Sequence, residues 1–139
     1  MGEFNNDENI LKQTDAKFYL GTFNQLFDYI SFSDVFIHVQ SYEIGEPLQF
    51  GSPMTWAMSC GIPVISLDQG AAQMHIVHGW NGFLCETYND IGWAMKYFID
   101  YPEEIERMGA NSRLRATSFY SPQIIGKRYK EIYEEIVNE

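Results

Sequence analysis

Lysine and arginine are missing from the middle of this sequence. There is none between Phe18 and Met95, and seven of the nine basic residues lie at Lys96 or beyond. Because 19 acidic residues bring the net charge to −10, nucleic acid and anionic membranes are excluded as partners for the surface as a whole. Any phosphate group held by the middle of the chain must be met by backbone amides or by residues from elsewhere.

Cysteine is also scarce, and long apolar runs are absent. Cys60 and Cys85 show no CxxC or Cys/His spacing, so the sequence predicts no zinc site and favours small buried side chains in a reducing compartment. No run approaches the roughly 18 apolar residues of a membrane span, and the polar N-terminus is unlike a signal peptide. We therefore expect a cytoplasmic protein that uses no metal and no cofactor.

The sequence has enough apolar material for one core. It is 139 residues long, 45% hydrophobic and 16% aromatic, which is typical of one globular domain and too short for two. Residues 1–15 are polar and are predicted to be a loose N-terminus. Residues 16–139 are predicted to form the domain.

The stretch from Asp34 to Gly61 is the centre of the predicted fold. Its apolar, β-branched run Val35–Val39 is typical of a central strand covered on both faces. After a loop, Ser52 is predicted as the N-cap of a helix with Pro53 at the first helical position, and Gly61 as the residue that ends this helix. The loop thus brings a helix N-terminus to the carboxyl end of a strand, where open α/β sheets bind ligands and where phosphate is favoured.

The rest of the chain alternates between strand and helix patterns. Strands are predicted near Phe18, Phe36, Ile65 and Phe83. Helices are predicted after the capping box Thr22-x-x-Gln25, from Ile91 to about Asp100, from Pro102 with a break at Gly109 left open, and from Pro122. The predicted fold class is therefore α/β, a Rossmann-like and mostly parallel sheet flanked by helices.

Spacing also predicts which residues of these elements are buried. The apolar face of the first helix is predicted to be Leu26, Phe27 and Ile30. The helix from Ile91, capped by Asn89 or Asp90, is predicted to use Trp93, Met95, Tyr97, Phe98 and Ile99. The dipeptide Asn81-Gly82 predicts a turn that accepts positive φ before the strand at Phe83.

The central residues also resemble a family pattern. Asp34 precedes the apolar strand, Ser41 follows it, a glutamate and then Phe50-Gly51 come next, and the run from Ala57 onwards reads AMSCGIPVI. This order resembles the group 1 (family 4-like) retaining glycosyltransferases, which have the two-domain GT-B fold. The resemblance implies that residues 16–139 are most of the C-terminal, nucleotide-sugar-binding half, with the first strand and helix of that half missing.

The resemblance implies transfer of a hexosyl-type sugar from a nucleotide-sugar to a glycan or lipid acceptor, with retention of configuration. Glu46 matches the catalytic or sugar-contacting glutamate, and a second register counted from Asp34 gives Glu43 instead. The donor and phosphate contacts fall on Phe50, Gly51, Ser52, Thr55, Trp56, Gly70 and Ala71. The simpler alternatives are a solvated loop acid for the glutamates and core packing for Trp56.

Several family features are missing. Trp56 and Met74 stand where glutamates are expected, and the acceptor-binding domain and the basic residues that meet the diphosphate are not in the sequence. The chain alone is therefore expected to be inactive. Two other functions stay open, a non-catalytic GT-B-like module such as a pseudo-enzyme or assembly subunit, and a different nucleotide or phosphate binder.

The resemblance also bears on partners and location. An uncovered sheet edge at the Phe18 strand predicts self-association. The acceptor would be met by the missing N-terminal domain. The full-length protein is expected in the cytoplasm, with peripheral contact with a membrane left open.

Overall fold

A computed structural model describes residues 22–39 and 51–138 of the chain. The helices in these ranges are α1 (Phe23–Ser31), α2 (Ser52–Ser59), α3 (Ala72–His75), α4 (Tyr88–Asp100), α5 (Glu103–Tyr120) and α6 (Pro122–Asn138). The strands are β1 (Phe36–His38), β2 (Val64–Leu67) and β3 (Gly82–Cys85). None of these helices is long and apolar enough to cross a membrane. The strand predicted near Phe18 lies outside the described residues.

The three strands form one parallel sheet in the order β1-β2-β3. Ile65 of β2 lies opposite Ile37 of β1 on one side and opposite Phe83 of β3 on the other. Helices lie between consecutive strands along the chain, as parallel pairing requires. The predicted α/β fold with a mostly parallel sheet is confirmed for the described residues.

Helices cover the sheet on both faces. Successive side chains of β2 point to opposite faces and belong to two different buried clusters. Val64 packs in one cluster with Met54 and Met58 of α2. Ile65 packs in the other with Phe98 of α4 and with residues of β3 and α5. All four residues of β2 are buried, which is typical of a strand covered on both sides.

Strand β1 is less covered than the prediction of a strand buried on both faces requires. Ile37 is exposed to 38% and Val39 to 47%, and β1 lies at one end of the sheet that the described residues form. The apolar composition of Val35–Val39 did not show how far each face is covered, because β-branched residues also favour half-exposed strands. Within the described residues, β2 is the strand that fits the central pattern.

The apolar faces predicted for α1 and α4 are largely wrong. In α1, Ile30 is buried while Leu26 and Phe27 are exposed. In α4 the buried residues are Ile91, Ala94 and Phe98, whereas Trp93, Met95 and Ile99 are exposed. The stripe of a helix that meets a sheet is narrow, and a small residue such as Ala94 fits where the helix lies nearest to it. The larger apolar residues around it hid this stripe in the sequence.

Capping boxes set the starts of α1 and α4. The predicted box at α1 is confirmed, since Gln25 Oε1 accepts from the Thr22 backbone N–H at 2.9 Å and from its hydroxyl at 3.2 Å. Helix α4 begins after Thr87, so the prediction of Asn89 or Asp90 as its N-cap is wrong. Asp90 is instead the acid of the box, and its Oδ2 accepts from the backbone N–H and the hydroxyl of Thr87, both at 2.8 Å.

The capping box at α4 predicts a defined sensitivity to acid. The side-chain and backbone hydrogen bonds from Thr87 hold the pKa of Asp90 below its ordinary value. The ionised carboxylate therefore stabilises the fold at pH values above the ordinary Asp pKa of about 4, and this stabilisation is lost as the pH falls through the lowered pKa. We expect Asp90→Asn to reduce the loss of Tm between about pH 5 and pH 2, measured by thermal unfolding.

Thr87→Ala removes the hydroxyl donor to the same carboxylate and keeps the backbone N–H, so it should flatten the pH profile in part, less than Asp90→Asn does. A wild-type pH dependence in both variants would show that the acid sensitivity of the fold arises at other carboxylates.

Candidate functional site

The start of α2 is the first predicted ligand-binding element. Gly51, with φ at 73°, is the N-cap, and Ser52 is already the first helical residue, so the prediction of Ser52 as N-cap is wrong by one position. Gly51 is buried, and a Cβ on it would lie 2.2 Å from Cε of Met54. Glycine is favoured there by the left-handed backbone, whereas the methyl group of Met54 is the end of a flexible side chain that can move.

Ser52 and Thr55 of the first turn differ in their freedom to bind a ligand. Ser52 is exposed. The Thr55 hydroxyl donates to the Ser52 carbonyl at 2.7 Å, so its proton is engaged within the helix. The Ser52 hydroxyl and the backbone of the first turn are the groups of α2 that are placed to meet an anion.

The second predicted element is the turn that follows β2. It runs from Asp68 to Ala71, with Gly70 at φ 56° and Ala71 buried. The Asp68 amide donates to the Cys85 carbonyl at 2.8 Å, which ties the start of the turn to the end of β3. Helix α3 then begins at Ala72, so the turn is held between two regular elements.

Both elements lie at the carboxyl edge of the sheet. Helix α2 comes after β1, and the Gly70 turn follows β2, which is the neighbour of β1. Met54 of α2 and Ala72 of α3 belong to one buried cluster, so the two elements pack against the same core residues. Glu43, Glu46 and Phe50 lie outside the described residues, and their roles stay predictions.

Trp56 and Met74, which replace the expected acids, lie in different surroundings. Trp56 is half-buried, packs against the α2 cluster and lines a groove of about 390 Å³ together with Arg113 and Tyr120. Met74 is exposed to 60%, and its carbonyl accepts from Arg115 Nη2 at 2.8 Å and from the Tyr120 hydroxyl at 3.0 Å. Trp56 therefore contributes to the packing of α2 against α5, as its simpler interpretation predicts.

Three arginines of α5 donate to backbone carbonyls, and sequence reasoning missed this role. Arg107 Nη2 donates to the Gly79 carbonyl at 3.1 Å, and Arg113 Nη1 donates to the Ser59 carbonyl. Arg115 reaches the Met74 carbonyl in the same way. The partners of Arg107 and Arg113 lie 28 and 54 residues away in the sequence, so no local pattern announces these contacts.

Two further cations that the sequence offers for a phosphate also have protein partners. Lys96 Nζ pairs with Asp100 at 2.7 Å on the surface of α4. The guanidinium of Arg128 lies 6.0 Å from the ring centre of Phe119, within the range of a cation–π contact. An anion at the start of α2 would compete with these contacts for either side chain.

The two histidines and the cysteine near this edge contact other parts of the fold. His75 is fully buried, and its ring centre lies 5.2 Å from that of Tyr120. The exposed His78 lies along β3, where its Nδ1 lies 3.0 Å from the Leu84 carbonyl oxygen and 3.3 Å from the Leu84 amide nitrogen. Burial, with a smaller contribution from Asp90, raises the pKa of the Cys85 thiol and keeps it protonated. Among the described residues no group of His, Cys, Asp and Glu is arranged to hold a metal ion.

Comparison with known proteins gives matches over most of the chain. A family model described as glycosyl transferases group 1 matches residues 6–115. The N-acetyl-alpha-D-glucosaminyl L-malate synthase of Bacillus anthracis is 27% identical over 127 residues, which is 90% of this chain and 32% of that protein. The trehalose synthase of Pyrococcus horikoshii is 33% identical over 89 residues, which is 64% of this chain and 20% of that protein.

Solved structures share the fold at low identity. Anabaena Alr3699/HepE in complex with UDP and glucose has a TM-score of 0.78 at 22% identity. The matched region covers 91% of this chain and 34% of the Anabaena protein chain. The sucrose-phosphate synthase of Thermosynechococcus elongatus has a TM-score of 0.74 at 19% identity, over 95% of this chain and 34% of its own. The chain thus spans about a third or less of the length of each of these four proteins.

Proposed function

Because the chain belongs to the glycosyl transferases group 1 family, we propose that it is the nucleotide-sugar-binding domain of a GT-B glycosyltransferase. The whole protein would transfer a sugar from a nucleotide-sugar to a glycan or lipid acceptor with retention of configuration. The acceptor would bind to parts of the protein beyond the third of its relatives' length that this chain spans. In isolation the chain would be inactive, and its cytoplasmic location stays a prediction.

The observation that carries this proposal is the arrangement at the carboxyl edge of the sheet. A helix N-terminus at Gly51 and Ser52 follows β1, and a glycine turn at Gly70 follows the neighbouring β2. Such edges of parallel sheets bind ligands, and helix N-termini favour phosphate. Anabaena Alr3699/HepE, which shares the fold, forms complexes with UDP and with UDP-glucose, so a uridine diphosphate sugar is the donor we propose.

The charges of the described residues set the expected affinity. The arginines of α5 named above donate to carbonyls, and Lys96 is paired with Asp100. A helix terminus alone contributes about 0.3–1 kcal/mol to a nearby charge at the surface, and up to about 2 kcal/mol when partly buried. A nucleoside diphosphate should therefore bind this chain at best with about millimolar affinity, near −4 kcal/mol. The full-length protein should bind it more tightly.

In this proposal the glutamates that lie between β1 and α2 in the sequence contact the sugar. Glu46, or Glu43 in the other register, follows β1 in the sequence and precedes the start of α2. A carboxylate there would accept hydrogen bonds from sugar hydroxyls while the start of α2 binds the diphosphate. Gly51, Ser52, Gly70 and Ala71 would contribute mainly backbone groups to the same site.

A single substitution at the start of α2 tests the site. Ser52→Asp places a carboxylate at the first position of α2, where it opposes a bound diphosphate but favours the helix by about 0.3–1 kcal/mol. We expect UDP binding, measured by calorimetry on the full-length protein, to weaken about tenfold through like-charge repulsion. Tm should stay unchanged or rise.

Gln123→Glu is the matched control, because it adds an acid to the first turn of another helix, α6, at an exposed position. It should leave UDP binding unchanged. Wild-type affinity in Ser52→Asp would show that α2 does not hold the diphosphate. Equal affinity of this chain and the full-length protein for UDP would contradict the expected contribution of groups outside the chain.

A second candidate function is a non-catalytic module of the same fold. The observation that favours it is Trp56, which occupies the position of an expected acid and is used in packing against α5. Met74, at the other missing acid, is exposed. If the full-length protein binds neither UDP nor UDP-glucose in the titration above, this second function replaces the first.

A further inference from the structure

A pocket between β3 and the start of α4 has a lining of aromatic rings and carboxylates. Its volume is about 300 Å³, at the lower end of the range for small-molecule sites. Phe83 of β3 is the buried ring of the lining. The rings of His78 and Trp93 meet it nearly at right angles, with centres 5.5 Å and 5.3 Å from its own. Glu86 and Asp90 also line this pocket, which we call the β3 pocket.

A row of aromatic rings leads away from the β3 pocket along α4. Trp93, Tyr97 and Tyr101 follow one another at intervals of four residues, so they lie on one face of the helix. The ring centres are 5.6 Å apart in the first pair and 4.9 Å apart in the second. Trp93 is exposed to 55% and Tyr101 to 50%. The row covers about 12 Å along the helix axis, which is longer than a single sugar ring.

Hydrogen bonds fix the row and the pocket relative to each other. The Tyr97 hydroxyl donates to Glu104 Oε2 at 3.2 Å. Arg107 Nε donates to Glu104 Oε1 at 2.9 Å, and Arg107 Nη2 donates to the Gly79 carbonyl at 3.1 Å. These bonds join α4, α5 and the turn that carries His78. The rings are therefore held in place before a ligand binds, which lowers the entropic cost of binding.

The lining of the β3 pocket favours a neutral ligand that is rich in hydroxyl groups. Glu86 and Asp90 repel phosphates and carboxylates, so nucleotides are unsuited to it. Their oxygens accept hydrogen bonds, and the hydroxyls around the rim of a sugar ring donate them. The face of the Trp93 indole carries partial negative charge and attracts the C–H groups on the face of a sugar ring.

The same carboxylates argue against a covering protein surface. Burying Glu86 and Asp90 without partners costs free energy, and the cores of protein interfaces are depleted in charged residues. The pocket and the row are built from residues 78–101 alone, so both are complete within the described chain.

From this combination of rings and acceptors, we propose that the β3 pocket and the aromatic row form a surface binding site for a neutral glycan. One sugar ring stacks on Trp93 in the pocket, and its hydroxyls donate to Glu86 and Asp90. The following sugars lie along Tyr97 and Tyr101. The site is separate from the two elements proposed to bind the nucleotide-sugar, which follow β1 and β2, and it binds the glycan without a nucleotide.

Calorimetry of the full-length protein with three neutral hexasaccharides tests the proposal, in the absence of any nucleotide. The probes are maltohexaose, cellohexaose and the hexamer of N-acetylglucosamine. We expect at least one of them to bind, and Trp93→Ala to weaken its binding about tenfold through loss of the stacking face. Trp93→Phe keeps an aromatic face and should restore most of the affinity. The proposal is overturned if none of the three binds, or if Trp93→Ala binds as tightly as wild type.

Tyr88→Ala is the matched control for Trp93→Ala. Tyr88 is another exposed aromatic residue of α4, at 65%, but it does not line the β3 pocket. Its replacement should leave glycan binding unchanged, and thermal unfolding shows whether both variants stay folded. An equal loss of affinity in the two variants would mean that any weakening of α4 impairs binding, and would contradict stacking on Trp93.

Tyr101→Ala separates the row from the pocket. The backbone bonds of Tyr101, from its amide to the Tyr97 carbonyl and from the Glu104 amide to its own carbonyl, do not involve the ring that is removed. The variant should bind the hexasaccharide about fivefold more weakly and the disaccharide of the same sugar as wild type does, because a disaccharide reaches only the pocket. Unchanged hexasaccharide binding would show that the glycan does not follow the row.

Ionic strength distinguishes a sugar from a cation in the β3 pocket. A tryptophan beside two carboxylates also suits an alkylammonium group, and hexalysine is the probe for this ligand. Binding of a neutral hexasaccharide should stay the same from low to high salt, whereas binding of hexalysine would weaken. Salt-sensitive binding of hexalysine that Trp93→Ala abolishes, with no binding of the three hexasaccharides, would show that the pocket takes cations and would overturn the proposal.

Discussion

Gly109→Ala is expected to lower the free energy of unfolding by about 2–3 kcal/mol, although alanine is the better helix former. Gly109 lies inside α5, where this helix crosses the end of α2. A Cβ at this position would lie 2.1 Å from the Gly61 carbonyl oxygen and 3.6 Å from Cδ of Pro63. The nearest atom belongs to the backbone, so the clash can be relieved only by moving α5 away from the residues it buries. Chemical denaturation of the variant measures the loss.

Gly92→Ala is the control for this prediction. Gly92 also lies within a helix, α4, but a Cβ there would meet nothing within 4 Å. Replacing it with alanine should raise the free energy of unfolding by about 0.5–1 kcal/mol, because the unfolded chain loses freedom and the helix loses nothing. If both glycines respond alike, the approach of α5 to Gly61 is looser than the structure describes.

Gly109 is a residue whose structural role cannot be predicted from its neighbours in the sequence. The sequence left open whether Gly109 breaks the helix, and α5 is continuous from Glu103 to Tyr120. The glycine serves a contact with Gly61, which lies far away along the chain and is itself the residue that ends α2. The role of Gly61 at the end of α2 was predicted correctly, since the φ of Gly61 is 79° and its amide donates to the Met58 carbonyl at 3.0 Å. A local sequence pattern can show where a helix ends, but it cannot show which distant residue will pack against that end.

The same distinction explains the success and failure of the predicted elements. Strand β2 and the capping box at Thr22 were predicted because their signals lie within a few residues. The buried face of α4 was missed because it depends on the distance between α4 and the sheet. The exposure of Ile37 in β1 was missed for a related reason, since the composition of a strand does not show how each of its faces is covered.

In the candidate site, too, the local features were predicted and the long-range contacts were not. The position of the α2 N-terminus and of the Gly70 turn at the carboxyl edge follows from alternating strands and helices, and the sequence indicated both. The use of Arg113 and Arg115 as donors to the carbonyls of Ser59 and Met74 could not be inferred, because guanidinium groups give no local sign of their partners. These contacts decide which cations stay available to a phosphate, so the expected affinity required the structure.

Asn81→Leu is expected to lower the free energy of unfolding by about 3 kcal/mol, since buried polar groups that lose their partners cost about 1–3 kcal/mol each. The dipeptide Asn81-Gly82 was predicted to accept positive φ, and Gly82 does so, with φ at 157°. Asn81 is fully buried, and its side chain joins two backbone groups. Oδ1 accepts from the Val77 amide at 2.7 Å, and Nδ2 donates to the His75 carbonyl at 3.2 Å.

Leucine has a similar volume at this position but leaves both backbone groups without their bonds, so the loss reflects hydrogen bonding more than a cavity. Asn111→Leu is the matched control, because its half-buried amide makes a single bond, to the Trp80 carbonyl at 2.8 Å, and leucine favours α5. It should cost about 1 kcal/mol or less. Thermal and urea unfolding of the two variants compare them directly. If Asn81→Leu is no less stable than Asn111→Leu, Asn81 does not hold the turn before β3, and the packing around His75 alone must fix it.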